Sequence, residues 1–551
     1  MPPSDVPTGK TRLTVKGLGV VEGLSFPKEV VQFSGIPYGV LSKRWTRSRL
    51  NTSWPDDFHN GTKLGCSAPN PPEYNVGGDI LVPVAPVAHF DDPVEDELNC
   101  LVMNITTPPI EPGKKIPVMV YIHGGSFLYG GANLPVFDGV NFVTYALDRA
   151  TPVVAVNFNY RVGLGGFLAS AAIKADLERD GFEGVGNFGL HDQQVALHWV
   201  NRYISSFGGD PENVTIYGES AGGMSVSHQV AARDPAPFHR AIAMSGHLNT
   251  IPTWSLEHHE KHYRALLTHL GIDPASPTAL DQLRSVPEET VSAATLPVAG
   301  IFVATGNPCD DGVFHAIRPS PDNIGSPPAW LKGYMVSDVY DEGMIFNESF
   351  SEDDFSSVRN AMISRLGEDS TDVILGLYGI TPELTKEKFV SKMEEMSGDS
   401  TFVSHNWIAA HRSKVPQTFG YHFDQTCAHE SPLKGLAYHA LDLLYLFLNF
   451  DEHFTEEQRK MARVMANHFL DFAHGKDPWP RISEGASWMR YGPNESCKVV
   501  TEAEDEEVRK YSRMQKIIDL GVYEKFVLAV DEIAVKRHRM GTFEWKPDPI
   551  A

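Results

Sequence analysis

The chain has 551 residues, of which 42% are hydrophobic and 21% charged, an ordinary balance for a soluble globular protein with a sizeable core. Its formal charge of −23 opposes any nucleic-acid partner, whose phosphates this surface would repel. No uninterrupted apolar run is long enough to cross a bilayer, so no transmembrane segment is expected.

The opening Met1-Pro-Pro-Ser-Asp-Val-Pro lacks the basic and apolar regions of a secretory signal. A cytoplasmic protein is the expectation, with a secreted one whose leader has been removed as the alternative. Five cysteines (Cys66, Cys100, Cys309, Cys427, Cys497) cannot all pair within one chain, and their spacing fits no zinc motif. Sequons stand at Asn51, Asn60, Asn104, Asn213, Asn347 and Asn494. Asn104 and Asn213 adjoin expected core strands, where a glycan would not fit, so the set reads mostly as coincidence.

Residues Thr11 to Tyr38 alternate apolar and polar side chains around glycines, which predicts an antiparallel meander. Residues 67–99 form a Pro- and Gly-rich loop carrying Ile80, Leu81, Val82, Val84 and Val87. A loop of that length reads as a lid or rim. Core strands are predicted at Ile116 to Ile122, leading into His123-Gly124-Gly125-Ser126-Phe127, and at Pro152 to Asn157, leading into Asn159-Tyr160-Arg161. Asp192 to Phe207 reads as a helix.

Val214 to Tyr217 is a short β-branched and aromatic run followed by Gly218-Glu219-Ser220-Ala221-Gly222 and then by small apolar residues. Strand, sharp turn, helix is the context that makes G-x-S-x-G a nucleophile elbow. Ala241 to Met244 is a further strand, and the pattern turns helical over about 254–300. Tyr334 to Tyr340 is a strand ending at Asp341-Glu342-Gly343. Helices are expected over about 350–410, then a strand at Thr418 to Phe423. Thr455-Glu456-Glu457-Gln458 makes a capping box for a helix running to His474, with Gly475 and Pro478 as stop signals. Strands alternating with helices imply a mostly parallel sheet covered on both faces, and without repeats or flexible linkers the chain reads as a single α/β domain with helical insertions.

A serine hydroxyl needs a base to take its proton, an acid to orient the base, and backbone donors for the oxyanion. Ser220 is the candidate nucleophile. Gly124 and Gly125 let two N–H groups approach a substrate oxygen, and the Ala221 amide would be a third donor. Glu342, with Asp341 in reserve, is the candidate acid at the end of an apolar strand. Among 22 histidines, His439 stands out because it follows a loop and precedes a strongly apolar helix. The order Ser220, Glu342, His439 matches that of α/β-hydrolases. His258-His-Glu-Lys-His262 places two imidazoles one helical turn apart, but it is not His-Glu-x-x-His and no third ligand is evident. It reads as a solvated helix face rather than a metal site.

Ordered motifs across nearly the whole chain resemble the type-B carboxylesterases, the family of cholinesterases, mammalian carboxylesterases and fungal esterases and lipases. They are Phe33-x-Gly-Ile-Pro-Tyr38, Asn99-Cys-Leu-Val-Met-Asn-Ile105, His123-Gly-Gly-Ser-Phe127, Asn159-Tyr-Arg161, Asn187-Phe-Gly-Leu-His-Asp-Gln193, Phe207-Gly-Gly-Asp-Pro-Glu-Asn-Val-Thr215, Asp341-Glu-Gly343 and Tyr438-His439. The resemblance implies an α/β-hydrolase fold, a Ser220–His439–Glu342 triad, an oxyanion hole from Gly124, Gly125 and Ala221, and no metal or organic cofactor. It also implies that Cys66 and Cys100 can close a disulfide loop at the gorge rim.

Two features depart from the pattern. Leu98-Asn99-Cys100 replaces the usual Glu-Asp-Cys, so the resemblance does not supply the buried ion pair made there. The 67–99 loop also lacks tryptophan, which removes the main cation–π support for choline. Ester hydrolysis through an acyl-enzyme is the function expected, on small to medium, fairly apolar esters. Acyl transfer, lactone chemistry or cyclisation at the same site is the alternative, and a non-catalytic binding module the minor one.

Overall fold

The computed structural model describes residues 6–72, 94–299, 306–320, 323, 327–328 and 330–535. Its centre is a 13-stranded sheet. In chain order the strands are β1 (Gly9–Val15), β2 (Gly19–Ser25), β3 (Val31–Pro37), β4 (Phe58–Gly61), β5 (Val102–Thr107), β6 (Ile116–Ile122), β7 (Val154–Phe158), β8 (Gly209–Glu219), β9 (Arg240–Met244), β10 (Gly333–Val339), β11 (Gln417–Phe423), β12 (Ser487–Tyr491) and β13 (Cys497–Thr501). They lie in the order β1-β2-β3-β5-β7-β6-β8-β9-β10-β11-β12-β13, with β4 beside β2. From β7 through β12 all neighbours are parallel, while the β1–β2–β3–β5–β7 flank and the β12–β13 edge are antiparallel. This is the α/β-hydrolase fold.

The parallel strands read as continuous apolar runs because both of their faces are covered. Along β6, Val118, Val120 and Ile122 point into one core, while Met119 and Tyr121 point into the other. The helices Phe188–Tyr203 and Ala221–Val230 cover the first face through Leu197, Trp199 and Val226. The helix Glu456–Ala473 covers the second through Met461, Met465 and Phe469. Its N-terminus is the expected capping box, with Thr455 and Gln458 exchanging side-chain-to-backbone hydrogen bonds.

Several expectations need correction. The helix expected from Asp192 begins at Phe188, just after Asn187 in a left-handed conformation, and ends at Tyr203 with a 3₁₀ turn over Ile204–Phe207. His258, His259 and His262 do not lie on a solvated face: all three are buried around Trp254, whose ring stacks on His262 at 4.9 Å. The apolar run from Ile80 to Val87 lies outside the described residues.

The disulfide is not formed. Cys66 and Cys100 are thiols, and the buried Sγ of Cys100 turns back to the Glu97 carbonyl at 3.3 Å. Burial raises the Cys100 thiol, disfavouring the thiolate that disulfide exchange requires. The same segment does carry a buried ion pair despite its altered motif, because Glu97, three residues before Cys100, pairs with Arg44.

Candidate active site

Strand register brings the motifs together before any side chain is considered. Gly218 on β8 lies opposite Ile122 on β6 and Ala243 on β9. The glycine turn two residues beyond Ile122 therefore reaches the same edge of the sheet as Ser220, two residues beyond Gly218. This is the carboxyl edge of the parallel strands, where open α/β sheets place their ligands.

Ser220 occupies the turn between β8 and the helix Ala221–Val230, with φ 59° and ψ −127°. That conformation is strained for a residue with a Cβ, at roughly 1–3 kcal/mol. It is held from both sides: the Ser220 amide donates to the Met244 carbonyl at 2.9 Å, and its carbonyl accepts from Met224 at 2.9 Å. The helix can pack this close only because residue 222 is glycine, where a Cβ would stand 2.0 Å from the Ile122 carbonyl oxygen.

The Gly124-Gly125 turn is braced through its preceding histidine. His123 is fully buried and stacks on Tyr160 at 4.2 Å, and the Tyr160 hydroxyl donates to its carbonyl at 2.9 Å. Burial pushes the imidazole down to about 4, so it is neutral at pH 7 and its Nδ1–H donates to the Gly124 carbonyl at 2.9 Å. Other motifs support this brace. Tyr38 donates to the Asn159 carbonyl at 2.6 Å, Asn159 accepts from the Ala132 amide at 2.6 Å, and Arg161 makes a buried pair with Asp192 at 2.7 Å.

Glu342 begins the turn after β10 and is 1% exposed. Its Oε1 accepts from the Val339 amide at 2.9 Å, which fixes the carboxylate, and its Oε2 accepts from Nδ1 of His439 at 2.5 Å. The neighbouring Asp341 points elsewhere: its Oδ2 accepts from the Ala437 amide at 2.7 Å. With Nδ1 bound to Glu342, Nε2 is the nitrogen left free of that carboxylate. It lies 3.1 Å from Oε1 of Glu219, out of hydrogen-bond alignment, and has no hydrogen-bond partner among the described residues. Phe402 packs on the imidazole face at 4.8 Å.

Two acids at the site carried no signal recognised in the sequence. Glu219, immediately before Ser220, is buried, and burial raises its carboxyl well above the carboxylate range despite the opposing pull of His439. Asp442, one turn after His439, is fully buried and accepts from the Tyr421 hydroxyl at 2.9 Å. Burial raises it to about 7, reinforced by the charge on Glu342. For His439 itself burial favours the neutral form, but Glu219 and Glu342 outweigh it and raise the imidazole. The adjacency of Glu219 to the serine, and the spacing of His439 and Asp442 at the start of an apolar helix, are the signals that could have marked both acids.

The description "Carboxylesterase family" matches residues 9–517. The chain belongs to the carboxylesterase family. Among its relatives, Lipase 3 of Yarrowia lipolytica is 29% identical over 479 residues, covering 83% of this chain and 87% of that one. Para-nitrobenzyl esterase of Bacillus subtilis is also 29% identical, over 84% of this chain and 89% of the relative. Among solved structures, a PNB esterase superposes with a TM-score of 0.72 at 26% identity, covering 92% of this chain and 99% of the other. The chain is thus a carboxylesterase-family hydrolase. No helix among the described residues is long and apolar enough to cross a membrane.

Proposed function

We propose that this carboxylesterase-family hydrolase cleaves small to medium, fairly apolar carboxylic esters through an acyl-enzyme on Ser220. The observation that carries the reading is the imidazole of His439, anchored by Glu342 at 2.5 Å, with its other nitrogen 3.1 Å from the carboxylate of Glu219, the residue before the strained turn of Ser220. In this reading Oγ of Ser220 attacks the ester carbonyl while Nε2 of His439 takes its proton. Glu342 holds the imidazolium that forms, and the amides of Gly124, Gly125 and Ala221 receive the oxyanion. The proton then passes to the leaving alkoxide, and a water deprotonated by His439 releases the acid.

An Nε2 without a hydrogen-bond partner among the described residues is compatible with this role, because catalytic hydrogen bonds often tighten only when substrate is bound. The names of the relatives, a lipase and a para-nitrobenzyl esterase, agree with ester substrates.

The test is covalent labelling by a fluorophosphonate, with the adduct mapped by mass spectrometry, followed by hydrolysis of p-nitrophenyl esters of increasing chain length. Labelling at Ser220 and turnover that peaks at short to medium acyl chains are expected. Folded protein left unlabelled would overturn the reading. Products dominated by transfer to an added alcohol would replace hydrolysis with acyl transfer.

A further inference from the structure

The acid and the base of the site sit on separate loops, 97 residues apart in sequence. The Glu342–His439 contact is one tie between them, and a single hydrogen bond between two loops does not fix their separation. A second set of ties is made by Asp341. Its backbone amide donates to the Ala437 carbonyl at 2.9 Å, and its carboxylate Oδ2 accepts from the Ala437 amide at 2.7 Å. The two loops also make an isolated parallel bridge between Asp341 and Tyr438. Residue 341 therefore grips, through backbone and side chain at once, the segment ending two residues before His439.

We propose that Asp341 is a positioning residue whose carboxylate clamps the base loop to the acid loop, setting the distance between Glu342 and His439. The role rests on the esterase reading above and adds to it a function for the second acid of the Asp-Glu pair. Adjacent residues of the turn divide the work: Glu342 points inward to the imidazole, and Asp341 points sideways to the backbone that carries it. What the clamp requires is an acceptor at the position of Oδ2, since its donor is an uncharged amide. The charged groups facing Asp341 are Arg509, Asp424 and Glu342, with Glu394 also sensing it.

The experiment compares Asp341→Ala, Asp341→Asn and Asp341→Glu with the wild type by steady-state kinetics, fluorophosphonate labelling of Ser220 and the pH profile of kcat/KM. Alanine removes the acceptor and is expected to lower kcat by about 10–100-fold with KM within about threefold, the scale of a misplaced catalytic group. Its acidic limb should also move down by roughly half a unit or more, because the loosened Glu342 no longer favours the imidazolium as strongly. Asparagine keeps an acceptor without the charge and is expected to stay within about threefold of wild type.

Glutamate keeps the charge but displaces the acceptor by a methylene, and is expected to lose at least about fivefold. If the alanine protein does not fold, the Asn and Glu pair decides alone. Asn as poor as Ala, or Glu as good as wild type, would overturn the clamp. So would a labelled, active alanine variant with an unchanged profile. Wild type left unlabelled and inactive would instead overturn the esterase reading, and this role with it.

Discussion

Nε2 of His439 stands 3.1 Å from the carboxylate of Glu219, the residue before the proposed nucleophile. The nitrogen needed to accept the serine proton is thus held beside a buried acid that favours its protonated form. A base works only when neutral, so raising the imidazole moves the acidic limb of kcat/KM above the ordinary histidine value of about 6.5. Glu219→Gln removes the carboxylate and is expected to move that limb down by about one unit. A stopped-assay pH series on a neutral ester checks it, and an unmoved limb would assign the contact no electrostatic role.

Removing the reacting groups is expected to have a much larger effect. Ser220→Ala or His439→Ala should lower kcat on the order of 10⁶-fold, down to the background set by binding and the remaining donors. Glu342→Gln should cost about 10⁴-fold. Single-turnover kinetics on an activated ester would measure both, and retention of more than about a hundredth of wild-type kcat in Ser220→Ala would point to another nucleophile.

Gly124 lies so close to the elbow that a Cβ there would stand 2.8 Å from the Glu219 carbonyl oxygen and 3.1 Å from Ser220 Cβ. Neither neighbour can yield without moving the turn. Gly124→Ala is expected to lower kcat by at least about 10²-fold, the scale of losing one oxyanion donor. Comparing kcat and thermal stability separates local displacement from unfolding.

Buried histidines predict the acid limit of stability. Burial lowers His123, His315 and His405 to about 4, His247 to about 3, and His228 well below its usual value. His228 and His315 also meet ring to ring at 3.0 Å, which disfavours a second proton. Below about 6.5 the unfolded chain binds protons that the folded one refuses, so the stabilisation present above that pH is lost on acidification toward 4. Denaturant melts at pH 7, 6, 5 and 4 should show a midpoint falling at each step. A midpoint flat down to pH 5 would contradict this assignment of protonation states.

Arg509 holds together a buried acid on one strand and another just beyond the end of its neighbour. It meets Asp338 of β10 at 2.7 Å and also pairs with Asp424, just beyond β11. Asp338 also accepts from His422 at 2.9 Å, and its neighbour Val339 donates to Glu342. Arg509→Leu leaves Asp338 with His422 and Asp424 with the more distant Arg490 at 3.9 Å, and is expected to destabilise by about 3–5 kcal/mol. Equilibrium urea unfolding reads this directly, and a change below about 1 kcal/mol would mean that the acids find other partners.

The fold was legible because the parallel strands are covered on both sides and so read as apolar runs, and because the elbow is a local strand–turn–helix rule. Ser220 could be picked from its neighbours alone. Other parts of the site depend on distance in space. The environment of Glu219 is set by burial that no window of sequence contains, and the raised Asp442 depends on burial and on the charge of Glu342 in another segment. The two carboxylates of Asp341-Glu342 are equivalent in a string of letters, and the backbone turn sends them to different partners. The buried histidines around Trp254 looked polar and helical, hence exposed, because their covering comes from tertiary packing. The paired cysteines implied by family likeness are thiols here, since a motif marks positions without setting the direction of a side chain.

The matched ladder linking Ile122, Gly218 and Ala243 separates what this scaffold must preserve from what it can vary. The turns at the strand ends are set by backbone pairing deep in the molecule, whereas helices such as Leu256–His269 and Phe355–Leu366 lie outside that ladder. Helices outside the ladder can be exchanged or lengthened while the turns at the strand ends stay in alignment.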